Sequence, residues 1–311
     1  MTELSNTILE KYQIRKTKKQ KTAFIEFMSG QIPELKVESG GLGNNRNLVV
    51  GDVATAKTVL TAHYDTCAVM PVPNLIFPKN IPLSFLYGFA IAVPMLILIG
   101  ILTYVFDLLV VSSIISPDLA FWLSELSLFL VVAAFFFIIY SGKPNRHTAN
   151  DNTSGVILLC ELYAAMSDEQ RQNTALVFFD NEEAGLLGSA YFRKLHRKEM
   201  QNKLLVNFDC ISDGDHILLM PNRKAHDLYG EKITDSFNAT EEKSISFIKS
   251  SRVFYPSDQS GFPIAVGVAA FKRSRIFGLY LDRIHTPRDT VTDERNIELL
   301  CDSTLHLIDT L

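Results

Sequence analysis

Between Pro82 and Phe106 the sequence carries no charged residue, and between Leu119 and Tyr140 it carries one, Glu125. Yet the chain as a whole has 30 Lys and Arg against 34 Asp and Glu over 311 residues, with a net charge of -4. Its charge is therefore excluded from two windows rather than thinned everywhere. A helix crosses a bilayer core of about 30 Å with roughly 20 apolar residues, and both windows are long enough. The competing reading is a helical hairpin buried in a soluble core. Core helices of soluble proteins usually keep a polar stripe, and these windows barely have one. Aromatic residues stand near the ends (Phe85, Tyr87, Tyr104 and Phe106; Phe121, Trp122 and Tyr140), where interfacial belts stand. Pro94 would break a helix in water but is tolerated in a membrane span. Glu125, one turn inside the second span, is expected to reach the interface.

The connection 107–118 has Asp107 and Asp118 but no Lys or Arg. The outer flanks carry Lys79, Lys143 and Arg146, and residues 11–21 add Lys11, Arg15, Lys16, Lys18, Lys19 and Lys21. By the positive-inside rule the expectation is a two-pass protein with both termini and the polar domain in the cytoplasm. The polar start, Met1 to Leu9, is not read as a signal peptide. The basic run is read as the solvated face of a helix, with contact to anionic lipid as the alternative. The four cysteines, Cys67, Cys160, Cys210 and Cys301, match no zinc-ribbon or redox spacing, and reduced thiols suit a cytoplasmic domain. No interleaving of basic and aromatic residues argues for nucleic acid. There is no internal repeat and no low-complexity tract.

Removing 82–141 leaves roughly 250 residues, a comfortable size for one α/β domain. The expectation is one discontinuous polar domain, 1–81 with 142–311, interrupted by a transmembrane hairpin at 82–141 with spans about 82–106 and 119–140. Outside the hairpin, apolar runs at 45–51, 58–62, 174–179, 204–208, 265–271 and 276–281 read as strands. Helical patterns cover 5–29, 153–167, 185–198, 225–238 and 293–309. Such alternation points to a three-layer α/β/α sandwich on a mixed, mostly parallel sheet.

Acidic and histidine residues sit just past the ends of these strands, where open α/β sheets place their sites. His63-Tyr64-Asp65 follows the strand 58–62. Alternate residues of an extended segment point the same way, so one can bind a metal while the other orients it. Asn150-Asp151-Asn152-Thr153-Ser154-Gly155 puts a carboxylate before a helix expected to be capped by Thr153 or Ser154. Glu182 and Glu183 follow a wholly apolar strand, Asp209 follows another, and His285-Thr286-Pro287-Arg288-Asp289-Thr290 follows 276–281. Singly, these are polar strand ends and helix starts. Paired carboxylates at a buried strand end must be protonated, metal-bound or partnered. Together, two histidines, three ligand carboxylates and a spare glutamate are what a two-metal hydrolytic site uses. Mixed His/carboxylate ligation suits zinc, with cobalt or manganese as substitutes.

In this order the motifs resemble the co-catalytic di-zinc aminopeptidase family, which includes glutamate carboxypeptidase-like and glutaminyl cyclase-like enzymes. Ser257-Asp258 followed by Phe262-Pro263 is similar to the family's segment before its last strand. The resemblance spans the whole polar domain. It implies that Asp151 bridges two zinc ions, that His63 and Asp209 complete one site, and that Glu183 and His285 complete the other. It makes Glu182 the general base and Asp65 the carboxylate that holds the His63 ring. Tyr255 or Ser257 is the implied partner of the tetrahedral oxyanion. Gln259 departs from the family, many of whose members have His there. A larger departure is the insert, which enters soon after His63 and leaves shortly before Asp151. It is expected to bring the rim of the site close to the membrane surface.

The implied activity is a membrane-anchored exopeptidase of aminopeptidase type acting on peptide substrates at a lipid bilayer. Other readings on the same fold are an amidase or cyclase acting on a non-peptide amide, a carboxypeptidase, and a non-enzymatic scaffold. Side-chain preference and oligomeric state are not legible.

Overall fold

Three apolar runs, each closed by an acidic or histidine residue, form the middle of one sheet. The structure, a computed structural model, describes residues 1–70, 72–113 and 116–311, with the side chains at 135, 136 and 138–141 outside that description. Two compact units emerge, Met1–Asn80 with Pro144–Leu311, and Ile81–Lys143.

Among the described residues the first unit holds strands β1 (Lys36–Gly40), β2 (Asn45–Val50), β3 (Thr58–His63), β4 (Thr174–Phe179), β5 (Leu204–Phe208), β6 (His216–Pro221), β7 (Ser244–Phe247), β8 (Ala265–Ser274) and β9 (Gly278–Tyr280). Its helices are α1 (Glu3–Lys11), α2 (Lys18–Gln31), α5 (Ser154–Ala165), α6 (Asp168–Asn173), α7 (Leu187–Leu195), α8 (Arg223–Ser236) and α9 (Glu294–Thr310). The second unit holds α3 (Ile81–Leu109) and α4 (Pro117–Ser141).

The sheet order is β1-β2-β4-β3-β5-β8-β6-β7, with β9 paired to β8. The four central strands run parallel, and antiparallel pairs β1-β2, β2-β4, β6-β8 and β8-β9 flank them. Parallel strands buried on both faces need continuous apolar runs. Every residue of β3, β4 and β5 is accordingly buried. Alternation then splits them between two layers. Leu60, Leu176, Phe178 and Val206 pack with Ile8 of α1, Phe24 of α2, Leu158 of α5 and Leu300 of α9. Val59, Val177 and Leu205 pack on the opposite side with Phe192 of α7. This is the expected three-layer α/β/α sandwich.

Several elements differ from expectation. The helix read over 5–29 is two helices, each with its own start. Thr2 Oγ1 accepts from Ser5 N at α1, and Thr17 and Gln20 form a reciprocal capping box at α2. Strands β1, β6 and β7 were not anticipated, and the strand read at 276–281 shortens to β9, with Leu281 bridging to Ile76.

In the second unit α3 runs unbroken through Pro94. Helix α4 starts at a Ser116 cap with Pro117 in its first turn. Asp107 lies in the last turn of α3, not in the connection, and accepts from Ser124 Oγ of α4 at 2.7 Å. Ile114 and Ile115 of the connection and the side chain of Tyr140 lie outside the described residues. Phe89, Leu96, Ile101, Phe121, Trp122 and Phe129 are exposed. Two helical stretches, Ile81–Ser113 and Pro117–Ala134, are long and apolar enough to cross a membrane.

Candidate metal centre

Register decides which side chains meet. His63 pairs with Phe179, the last residue of β4, and Thr61 pairs with Asn207 of β5. The ends of β3, β4 and β5 are therefore level, and His63, Asp180 and Asp209 leave the sheet side by side. The chain turns sharply there. Asn181, Cys210 and His285 each have φ between 54° and 59°, a left-handed backbone that costs on the order of 1–3 kcal/mol in a residue with a side chain and tends to collect at sites.

Asp151 sits between two histidines. Its Oδ1 is 3.4 Å from His63 Nε2 and its Oδ2 is 3.0 Å from His285 Nε2. Asp209 Oδ1 is 3.6 Å from His63 Nε2, and Glu183 Oε2 is 3.2 Å from His285 Nε2. His63, Asp151 and Asp209 are all buried. Atoms that each lie about 2.0–2.2 Å from one tetrahedral zinc ion are separated by about 3.4 Å, and the four contacts bracket that value. Asp209 Oδ1 and Glu183 Oε1 are buried and have no hydrogen-bond partner among the described residues. Orphaned carboxylate oxygens beside histidine nitrogens fit a cation on each side of Asp151. Burial works against charging either histidine. The surrounding carboxylates, Glu182 around His63 and Glu183 around His285, outweigh it and hold both pKa values well above the ordinary one.

Each loop is tied from behind. Asn150 N and Asp151 N donate to the two oxygens of Asp289, at 2.8 and 3.0 Å. Burial, then the charge of Asp151, pushes the Asp289 carboxyl up to about 8. Asn152 Oδ1 accepts from Gly155 N at 3.0 Å, so Asn152 opens α5. Thr153 and Ser154 do not fill the capping role read from the sequence. Ser154 Oγ donates to the Asn150 carbonyl, and Thr153 Oγ1 accepts from Arg15. Gly155 is needed because α5 runs close under β5. A Cβ there would lie 2.6 Å from the Phe208 carbonyl oxygen and 2.5 Å from Asn152 Oδ1.

Asp65 reaches both the glutamate turn and the His63 ring. Its oxygens accept from Glu182 N and Glu183 N at 2.9 and 3.3 Å. His63 Nδ1 lies 3.1 Å from the Asp65 carbonyl and 3.7 Å from its carboxylate. The carboxylate orients the glutamate turn and also stands beside the His63 ring, whose Nδ1 faces the Asp65 carbonyl. Glu182 is partly accessible. Burial first, then Glu183, Asp258 and Asp209, push its carboxyl well above the usual range, against the opposing pull of His63. The Tyr255 hydroxyl donates to the Asp209 carbonyl at 3.2 Å. Ser257 is fully buried and accepts from Asn207, while Gln259 ties Asn207 to the Tyr255 carbonyl.

Two cations read as solvated face or lipid contact are buried behind the site. Lys21 is 7% exposed and Arg15 0%. The Arg15 guanidinium donates to the carbonyls of Tyr64 and Tyr12 and, at 3.1 Å, to Thr153 Oγ1. Burial lowers its pKa to about 10 against the pull of Asp65, Tyr64 and Asp151, so it stays charged at neutral pH. Lys21 Nζ reaches Asp180 Oδ1 at 2.5 Å and Asn181 Oδ1 at 2.6 Å. Neither Arg15, Lys21 nor Asp289 was assigned a site role from the sequence. A cleft of about 660 Å³, lined by Thr174 and Arg171 at the opposite end of β4, carries none of this chemistry.

The sequence matches the model of Peptidase family M28 over residues 136–303. That stretch contains Asp151, Glu182, Glu183, Asp209 and His285, while His63 precedes it. No curated protein sequence matches the chain. The fold is similar to the LapA aminopeptidase of Legionella pneumophila, at 11% identity and a TM-score of 0.55 over 99% of this chain and 68% of that one. It is also similar to LapB from the same organism, at 10% identity and a TM-score of 0.52 over 99% of this chain and 70% of that one. At such identity the likeness speaks for the fold, and the match to the family model, over more than half of the sequence, speaks for descent: this chain belongs to peptidase family M28 and is a metallopeptidase.

Proposed function

We propose that the protein is an aminopeptidase-type exopeptidase whose site holds two zinc ions, and that the hairpin anchors it in a membrane. The observation that carries the reading is the placement of Asp151, one carboxylate oxygen toward each histidine cluster. In this reading His63, Asp151 and Asp209 hold one ion, and Asp151, Glu183 and His285 hold the other. Cobalt or manganese can replace zinc in such a donor set. Ions bound there supply Lewis acidity, polarising the scissile carbonyl and acidifying the attacking water.

The protein's own groups do the rest. Glu182 projects from the turn that Asp65 fixes, and its raised proton affinity suits a general base. It takes the proton of the attacking water and hands it to the leaving amine. Tyr255, through its bond to the Asp209 carbonyl, steadies the Asp209 loop. Its service as an oxyanion donor needs that hydroxyl to turn toward substrate. The complete donor set and the retained Glu182 argue against a scaffold. The exposed apolar side chains of α3 and α4 support the bilayer, because contiguous apolar surface of that extent is not kept in water.

The test is metal content and turnover of aminoacyl amides by detergent-purified protein, alongside Glu182→Ala. About two metal ions per chain and free-amine hydrolysis lost in the variant are expected. Bound metal with no such turnover moves the assignment to an amidase or cyclase. Absence of stoichiometric metal overturns the site.

A further inference from the structure

Three of the four cysteines have apolar surroundings. Cys160 and Cys301 pack in the cluster between α5 and α9, and Cys210 packs in the cluster that contains Tyr255. Cys67 is equally buried, at 4% exposure, but among the described residues it joins none of the hydrophobic clusters. Instead its Sγ, a Glu183 oxygen and a His285 ring nitrogen lie within 4.8 Å of one another. All four cysteines are free thiols.

The sulfur's position is fixed by the same ties that fix the histidine. Asn145 N donates to the Cys67 carbonyl at 3.1 Å, and Asn145 Nδ2 donates to the Thr286 carbonyl at 2.9 Å. Met70 N donates to the His285 carbonyl at 2.9 Å. One asparagine and one main-chain bond thus strap the segment 67–70 to the loop that carries His285. Within the cluster, Glu183 Oε1 is buried without a hydrogen-bond partner among the described residues. On the other side of Asp151 the donors are the nitrogen of His63 and the oxygens of Asp151 and Asp209.

We propose that Cys67 is a sulfur ligand for the cation on the Glu183–His285 side, so that the two halves of the centre differ in kind. The inference rests on the reading above that cations occupy this site. The bond forms between Sγ and the cation as the thiol proton leaves to solvent. A thiolate favours soft and borderline ions such as zinc, cobalt and cadmium over manganese or magnesium. The His285 side is then the more selective half.

Cobalt(II) separates the two claims in one titration of the metal-free full-length protein under reducing, oxygen-free conditions. Visible d–d bands report an occupied site, and a near-ultraviolet charge-transfer band reports a cobalt–sulfur bond. Wild type is expected to show both. Cys67→Ser should keep the visible bands and lose the charge-transfer band, while Cys210→Ser keeps both. Visible bands without charge transfer in wild type overturn the Cys67 ligand and leave the metal centre standing. So does a charge-transfer band that survives Cys67→Ser. No visible bands in any form overturn the metal centre and the ligand with it. If Cys67→Ser does not fold, cadmium NMR of the Cys210→Ser protein decides. One resonance in the thiolate range and one in the oxygen/nitrogen range support the ligand, and two in the latter range overturn it.

Discussion

Lys21 Nζ lies 2.5 Å from Asp180 Oδ1, and both side chains are buried. The ammonium also touches Asn181 Oδ1 and stands 3.9 Å from Asp65 Oδ2. It therefore offsets negative charge at the root of the turn that carries Glu182 and Glu183. Removing one partner of a buried ion pair leaves the other charge uncompensated, which costs about 3–5 kcal/mol. Lys21→Met, which keeps the length of the side chain, is expected to destabilise the peptidase unit by that amount in denaturant unfolding. A loss within about 0.5 kcal/mol, as for an ordinary surface substitution, would show that Lys21 is merely a neighbour.

Metal removal gives a second outcome. Asp151, Glu183 and Asp209 converge with Glu182 beside them, and among the described residues Asp209 Oδ1 and Glu183 Oε1 have no hydrogen-bond partner. A ligand that binds only the folded state at about a thousandfold above its Kd adds about 4 kcal/mol, which is on the order of 10 °C in Tm for a domain of this size. Chelation should lower Tm by that order and re-addition of zinc should restore it. An unchanged Tm, with metal loss verified by elemental analysis, contradicts a centre built into the fold.

What the sequence made legible follows the physics of parallel sheets. β3, β4 and β5 are buried on both faces, so they read as largely apolar runs, broken inside only by Thr61 and Asn207, and the acidic or histidine residues at or just past each mark the strand end that carries the site. His63, the Glu182–Glu183 pair and Asp209 are legible for that reason, whereas Asp151 and His285 are legible from the motifs around them, and the structure brings these side chains together. β7, with the sequence Ser-Ile-Ser-Phe and half-buried throughout, lacks that contrast and was missed. Arg15 was missed for another reason. Its burial depends on carbonyls and a hydroxyl at Tyr64 and Thr153, far along the chain, and no local pattern distinguishes it from its solvated neighbours Lys18 and Lys19. Which atoms of Asp65 face His63 depends on the turn at Glu182, which a sequence does not display.

The hairpin makes a separable prediction. If α3 and α4 cross a bilayer, the full chain stays with the membrane pellet after alkaline carbonate washing and is released only by detergent. A variant with 82–141 replaced by a short Gly/Ser linker should appear in the soluble fraction. Release of the intact chain by carbonate would refute a spanning hairpin and favour peripheral attachment, since two apolar spans bind far more firmly than an interfacial helix or a single lipid anchor.

The start of α9 offers a pH test away from the metal centre. Asp293 caps the helix by accepting from Arg295 N, and its carboxylate contacts Lys243 Nζ at 2.5 Å, where Lys243 is 2% exposed. Burial opposes the charged form of Asp293, but the hydrogen bonds from Arg295 and Lys243 outweigh it and hold the pKa down to about 2, from 3.8. A carboxyl with a depressed folded-state pKa adds stability above its unfolded pKa, and that contribution fades as pH falls through the folded value. Because Arg295 is largely exposed and screened, the contribution is on the order of 1 kcal/mol. Asp293→Asn keeps a capping oxygen and removes the charge. The stability gap between wild type and this variant should be full near neutrality and should close between about pH 4 and pH 2. A gap that stays constant across that window would assign the role of Asp293 to capping geometry alone.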